Sequence, residues 1–446
     1  MINQLMRTEY DAIVVGSGAT GGIATLTLAQ AGLKVLVVEA GPELTSEEVI
    51  GKEPINTFKR LIGLINGQKK IQSQHPGFWK TNPSLYVNEK ENQYNFPKGN
   101  PFIWTQGRQV GGRSHTWGGI TLRLSDLDFK APRKDGFGQE WPISYADLEP
   151  HYDAIEKLLK VHGVRDGLDQ LPDGNYLSPL PFTKSEHSFI EKIKKHLDFP
   201  VIHSRGFGPH VGNDFPLFSS QGSTLKIARK TGNVSLLTQH IVEKIVINKS
   251  REKAEGVIAV NKLSGERVKL KSDLIVLCAS TIQTIKILLN SEEKVNENGF
   301  IEPSEILGKN LMDHISTCRF FSIRDSSHDN NLNNTEKLSG AGSFFIPFGN
   351  KLQEREDIGF IRGYGIWGGI GRFEPPHFIK KDPLSKLGFL IGHGEVLPYK
   401  DNRVTLSSKS DQWGIPIPNV NCKWNKNELE MVKHMNKEIS RCIKVS

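Results

Sequence analysis

The sequence predicts an α/β fold in two parts: a parallel-sheet domain carrying a β-meander, and an α+β domain built on an antiparallel sheet. Three observations carry that expectation. The apolar strand pattern Ala12-Ile-Val-Val15 runs into a glycine turn and a helix-like stretch, and a second strand, Lys34-Val-Leu-Val-Val-Glu39, follows. Short alternating segments between Gly232 and Ala279 read as a meander that ends in a fully buried strand. From Ser343 to Leu406, brief apolar segments mixed with glycines and aromatics suggest antiparallel strands.

The first element is the most specific. Gly16, Gly18 and Gly21 form a Gly-x-Gly-x-x-Gly turn between strand and helix. Gly16 permits the tight turn, Gly18 lets the backbone approach a pyrophosphate, and Gly21 lets the helix pack closely on the strand. Ala19 and Thr20 open that helix, where unpaired N–H groups and the positive dipole end favour an anion. Glu39 closes the second strand about 20 residues on; it suits a ribose diol and repels a 2′-phosphate. Strand, turn, helix, strand and acid in that order predict a Rossmann-like dinucleotide site, with an ordinary βαβ turn as the plain alternative.

From Glu43 to Phe102 periodicity fades, and so long an excursion is expected to be a lid or ligand cover. A second glycine-rich block, Gly107 to Gly119, follows. Ser144 with Asp147 predicts a capped amphipathic helix reaching Val161. In the meander the strands are Val234–Thr238, Ile241–Asn248, Ala254–Lys262 and Arg267–Lys271, then the buried Asp273–Ala279 and a helix from Thr281 to Leu289. Residues 325–342 read as polar loop. Later strands are expected at Ser343–Phe348, Gly359–Gly365, Gly388–Leu397 and Arg403–Leu406, and a last amphipathic helix at Asn427–Ile443.

Composition narrows the function classes. The 446 residues allow two or three domains, and 37% hydrophobic with 24% charged residues is ordinary globular composition. The net charge of +8 comes from scattered lysines without aromatic interleaving, so no nucleic-acid partner is expected. No apolar run approaches the roughly 18 residues of a membrane span. The residues before Tyr10 lack a signal-peptide core, which predicts a cytoplasmic chain, with export alongside a partner left open. Four separated cysteines without C-x-x-C spacing fit a reducing compartment and predict neither a metal site nor a disulfide framework.

Several blocks together resemble the glucose–methanol–choline (GMC) family of flavin-dependent oxidoreductases. They are the fingerprint above, Gly107-Arg-Gln-Val-Gly-Gly-Arg-Ser-His-Thr-Trp-Gly-Gly-Ile120, the segment Ser272–Ser291, Leu307-Gly-Lys-Asn-Leu-Met-Asp-His314, and Glu395-Val-Leu-Pro398 followed by Asn402-Arg-Val-Thr-Leu406. The resemblance implies FAD, bound without a covalent link although His115 is nearby. It assigns contacts to Gly16, Gly18, Ala19, Thr20, Gly21 and Glu39. Gly111, Gly112, Ser114, Trp117 and Gly118 would lie on the flavin, Arg108 (and Arg113) would offset the pyrophosphate charge, and Val242 or Ile241 would meet the adenine.

It also implies domains. Residues 5–130, with the lid-like excursion 43–105, and 200–315 form the two parts of an FAD-binding domain. Residues 131–199 and 316–425 form the substrate domain, and 426–446 begin a further cofactor-domain segment. The implied reaction is oxidation of an alcohol, polyol or sugar hydroxyl, a small-molecule substrate, by hydride transfer to flavin N5. The electron acceptor (oxygen, a quinone or a cytochrome) is unknown. A non-catalytic flavin-binding remnant and a nicotinamide-dependent dehydrogenase remain alternatives; the meander and second glycine loop favour FAD.

The family's proton-abstracting histidine sits in a C-terminal motif resembling His-x-x-Gly-Thr-x-x-Met-Gly, and nothing after Leu406 matches it. His434 reads as a solvated helix residue, the catalytic histidine is expected beyond residue 446, and the chain reads as roughly one hundred residues short of the family pattern. Exposed apolar surface and an unsupported Cys442–Ser446 should follow. His393 and Glu395 share a strand face and are open to two readings, a substitute base or a structural pair. Trp367, Phe373, Phe378 and Phe389 suit either a pocket wall or a core.

Overall fold

The structure is a computed structural model that describes residues 9–51, 54–248, 250, 253–291, 306–324, 337–348, 358–373 and 385–446. Phe378 and most of the expected 325–342 loop lie outside the described residues. In chain order the strands are β1 (Ala12–Val15), β2 (Val35–Val38), β3 (Ile202–His203), β4 (Val234–Leu237), β5 (His240–Ile247), β6 (Ala254–Asn261) and β7 (Arg267–Lys271), then β8 (Leu274–Leu277), β9 (His314–Arg324), β10 (Phe344–Pro347), β11 (Tyr364–Ile370), β12 (Ser385–Glu395), β13 (Arg403–Ser410) and β14 (Pro416–Asn421). The helices that matter below are α1 (Ala19–Gln30), α2 (Ile55–Ile65), α3 (Tyr145–Leu159), α4 (Lys184–Leu197), α5 (Thr224–Arg229), α6 (Thr281–Ser291) and α7 (Lys426–Val445). No helix among the described residues is long and apolar enough to cross a membrane.

The chain divides into two compact units. Unit 1 comprises Met1–Trp117, Gly212–Leu311 and Lys400–Cys422. Its centre is a parallel sheet in the order β4-β2-β1-β8, in which Ala12 pairs with both Val35 and Leu274. Every residue of β1 and β2 is buried, which is why these strands are continuously apolar rather than alternating. The antiparallel meander β5-β6-β7 turns Val257, Ala259 and Leu270 into a core shared with Ile13, Leu36 and Leu237. The excursion after Glu43 is not structureless: it holds a capped helical turn at Ser46–Ile50, then α2 and three 3₁₀ turns around Val49, Phe78, Leu85 and Tyr86.

Unit 2 comprises Gly118–Val211, Met312–Tyr399 and Lys423–Ser446. Its antiparallel sheet runs β3-β10-β11-β12-β9. Glycines in β12 leave room for α7: a Cβ on Gly392 would collide with Met435 Sδ, and one on Gly394 with Met431 Sδ. Helix α3 begins at the expected Ser144–Asp147 capping box. On α4, Glu186 is fully buried and takes a two-pronged contact from Arg372, with Nε 2.7 Å from Oε1 and Nη2 2.6 Å from Oε2.

Three expectations are corrected. Residues 426–446 do not begin a cofactor-domain segment but form α7 on the sheet of unit 2. Met431, Met435, Ile439 and Cys442 are buried there, and Lys192 Nζ holds Ser446 O, so the chain end is supported. Residues 400–422, assigned to the substrate domain, fold into unit 1, and Gly118–Val211 lies in unit 2, which moves the expected breaks at 130 and 200. The strand expected at Gly359–Gly365 starts only at Tyr364, because Gly359 and Arg362 adopt positive φ (79° and 63°), which an extended strand does not tolerate.

Candidate functional site

Between β1 and α1 the backbone turns through Gly16, whose φ of 96° requires glycine and whose added Cβ would stand 2.5 Å from Cys278 O at the end of β8. A Cβ on Gly21 would collide with Gly16 O, the close helix–strand approach that this glycine permits. Gly18 behaves differently. It is the N-cap of α1 without a side-chain cap, and a Cβ there would meet nothing within 4 Å. Gly18 O takes the first helical bond, from Gly22 N at 2.8 Å, while Ala19 and Thr20 are exposed. The N-terminus of α1 therefore faces open space with its first N–H groups free for an anion.

The second glycine block folds against this turn. A Cβ on Gly112 would lie 3.5 Å from Gly18 Cα, and Gly111 N donates to Ser17 Oγ at 3.1 Å. Ser17 donates through both N (3.1 Å) and Oγ (2.6 Å) to Glu39 Oε2, and Gly41 N donates to Glu39 Oε1 at 2.9 Å. Glu39 is thus 6% exposed and anchored to the turn, with one of its roughly four acceptor positions still free. Ser114 Oγ donates to Gly111 O and accepts from Ser220 N at 3.0 Å, and Ser220 Oγ donates to Ser17 O at 2.7 Å. Ser220 is a member that sequence reading missed. It lies 203 residues from Ser17 in a loop with no motif of its own.

Three buried polar atoms of the block lack a hydrogen-bond partner: Gln109 Oε1, Arg113 Nη1 and His115 Nδ1. His115 lies beneath its own loop, with Nε2 3.1 Å from Val110 O and 2.9 Å from Gln221 Oε1. Both partners are acceptors, so Nε2 carries the proton and Nδ1 presents a bare lone pair. Burial pushes the ring below the ordinary histidine range and keeps it neutral. Trp117 is 39% exposed, its Nε1 donating to Phe218 O at 3.2 Å. Gly118 falls in unit 2, exposed and with open space at its Cβ position.

Burial lowers the pKa of Arg108, opposed by Glu39, Asp411 and Glu91. Asp411 also neighbours Lys286 on α6, with Glu243 as its second acid; Lys286 is another residue the sequence did not single out. It is 6% exposed, lies 3.7 Å from Asp411, and is pushed down to about 8 by burial and by Arg108. Val242 is buried at 7%, at a slip in the β5–β6 ladder between Val242 and Lys244. Elsewhere, His434 is not free in solvent: its Nδ1 stands 2.7 Å from Tyr364 Oη. His393 meets His314 edge to face at 6.3 Å, and Trp367 and Phe373 pack on Phe389.

A family model described as GMC oxidoreductase matches residues 10–316. The chain belongs to the GMC oxidoreductases. Its similarity to 2-methyl-1,2-propanediol dehydrogenase of Mycolicibacterium austroafricanum is 24% identity over 96% of this chain and 79% of that protein. The fructose dehydrogenase large subunit of Gluconobacter japonicus is 25% identical over 92% of this chain and 79% of that protein. Among solved structures, a formate oxidase variant of Aspergillus oryzae superposes with a TM-score of 0.61 at 15% identity, covering 98% of this chain and 82% of that one. A GMC oxidoreductase acts on CH–OH groups with FAD, and the residues here fit that cofactor. The uncapped helix end, the bare space at Gly18, and the orphaned atoms at Gln109, Arg113 and His115 are what a dinucleotide with a polar ring system requires.

Proposed function

We propose that this GMC oxidoreductase oxidises a hydroxyl of a small alcohol, polyol or sugar. The observation that carries the proposal is the meeting of two glycine segments, with Gly112 laid against Gly18 beside the open end of α1. When bound, FAD would supply the acceptor for the hydride that leaves the carbinol carbon; the hydroxyl proton would pass to the histidine that the family pattern implies, whose motif no segment after Leu406 matches. The N–H groups of Ala19 and Thr20 bind the diphosphate, and the Arg108 guanidinium offsets its charge. The free acceptor position of Glu39 takes a ribose hydroxyl, and the strand at Val242 borders the adenine. Gly111, Gly112, Ser114, Trp117 and Gly118 supply the backbone and edge contacts to the ring system. Burial of His115 under its own loop, with Nε2 already engaged, supports a flavin held without a covalent bond. The named substrates of the relatives, a diol and a sugar, support the hydroxyl class.

The purified protein should carry flavin absorbance and release all of it on acid precipitation. A protein that stays colourless after incubation with FAD refutes the cofactor geometry. Yellow acid-precipitated pellets refute the non-covalent assignment.

A further inference from the structure

The turn from β4 into β5 holds two buried acceptors that lack a donor. It is tied to the chain on both sides of Glu39: Glu39 N donates to Leu237 O (2.9 Å), His240 N to Glu39 O (3.0 Å) and Gln239 N to Gly41 O (3.1 Å). From the end of β6, Lys262 N donates to Gln239 O at 2.7 Å. His240 is 2% exposed, with Nδ1 2.6 Å from Thr238 O. A carbonyl oxygen only accepts, so Nδ1 carries the proton and Nε2 presents a lone pair that no donor among the described residues meets. Gln239 Oε1 is a second buried acceptor without a partner among them. Gln239 also holds a φ of 58°, where glycine would be unstrained, so the turn keeps this side chain at a cost to its backbone.

Place and chemistry select what these groups meet. The parallel strands β2 and β4 end at Val38 and Leu237, and ligands of such sheets lie beyond the carboxyl ends of the strands, where Glu39, Gln239 and His240 follow. Along β5 the ladder runs without a slip from His240–Asn261 through Ile241–Val260 to Val242–Ala259. His240 and Val242 therefore share one side of the strand, while Ile241 turns to the other and joins the cluster of Val260, Trp413 and Ile415. The free position on Glu39, Gln239 Oε1 and His240 Nε2 are all acceptors, so a matching ligand offers donors: the hydroxyls of a ribose diol and the amino group of adenine. A 2′-phosphate, or a base with a carbonyl in place of that amino group, would set acceptor against acceptor. Resting on the FAD reading above, we propose that this turn reads the adenosine half of the cofactor. His240 Nε2 accepts from the adenine amino group, on the side of β5 that Val242 shares, and Gln239 Oε1 accepts from a ribose hydroxyl beside Glu39.

The test titrates the full-length protein, freed of flavin, with ADP and with inosine diphosphate, which carries a carbonyl where adenine carries the amino group. By calorimetry ADP should bind about tenfold or more tightly than inosine diphosphate. His240→Leu should bring the two affinities to within about twofold of each other by weakening ADP. Gln239→Gly should keep or raise the thermal midpoint of the unliganded protein, because glycine suits the φ of 58°, and yet weaken both nucleotides about fivefold. A turn with a merely structural role would gain stability and leave affinity unchanged, which overturns the assignment to Gln239. Discrimination that survives His240→Leu gives base recognition to the β5 backbone and overturns the assignment to His240. Equal binding of the two nucleotides by a parent that takes up FAD overturns the inference and leaves the FAD reading standing. A parent that binds neither FAD nor ADP refutes the FAD reading itself, and the inference falls with it.

Discussion

Two glycines of one turn should fail in different ways. Gly16 combines a φ of 96° with a Cβ position 2.5 Å from Cys278 O, so Gly16→Ala should lower folding stability by about 1–3 kcal/mol, read from the urea midpoint. Gly18 has φ −64° and an empty Cβ position, so Gly18→Leu should leave the flavin-free protein within about 1 kcal/mol of the parent while its flavin-to-protein ratio collapses. Equal flavin content in Gly18→Leu would separate this turn from the pyrophosphate. Lys286 makes a pH prediction. Its pKa is about 8 in the fold against 10.5 as the ordinary value, so the unfolded chain binds more protons across that window. The contribution of Lys286 to stability should therefore rise with pH from about 8 to about 10.5, with its burial penalty fully present below that window, while thiols whose pKa burial raises, such as Cys442, act in the opposite direction. Lys286→Met should remove that contribution, making the denaturant midpoint climb less steeply with pH across the window than in the parent; Lys69, pushed down to about 8 chiefly by burial, acts in the same direction as Lys286.

At the scale of elements, α7 turns the expected loose end into core. Met435 is fully buried against the bare backbone of Gly392, so Met435→Ala should cost about 2–5 kcal/mol in unit 2. An unchanged denaturant midpoint would mean that the helix contributes nothing to that core. The amphipathic pattern of this helix is plain in the sequence, but its partner is not, because Gly392, Gly394 and Ile315 come from distant segments. Strand β9 went unread for another reason. Its alternation is broken by exposed Arg319 and Phe320, and it is recognisable only through its pairing with β12 along eleven consecutive partners, Arg324 to His314. Helix α2 escaped because an apolar ridge facing solvent runs against the usual link between periodicity and burial.

At the scale of the molecule, the two units have separate cores, and the proposed cofactor contacts other than Gly118 belong to unit 1. Added FAD should then raise the thermal midpoint by mass action, about 2.7 kcal/mol at one hundred times its Kd. A midpoint independent of FAD concentration would contradict that. The βαβ unit, its glycine turn and Glu39 were determined by sequence alone, because adjacent residues supply the strand, the turn and the helix end that define them. The Ser144–Asp147 cap was readable for the same local reason. Only the tertiary structure decided that Gly112 lies on Gly18, that Ser220 ties Ser17 to Ser114, that α7 joins unit 2, and that α2 turns its apolar side outward. Those outcomes depend on which distant surfaces exclude water from one another, and a residue's neighbours in sequence carry no record of that.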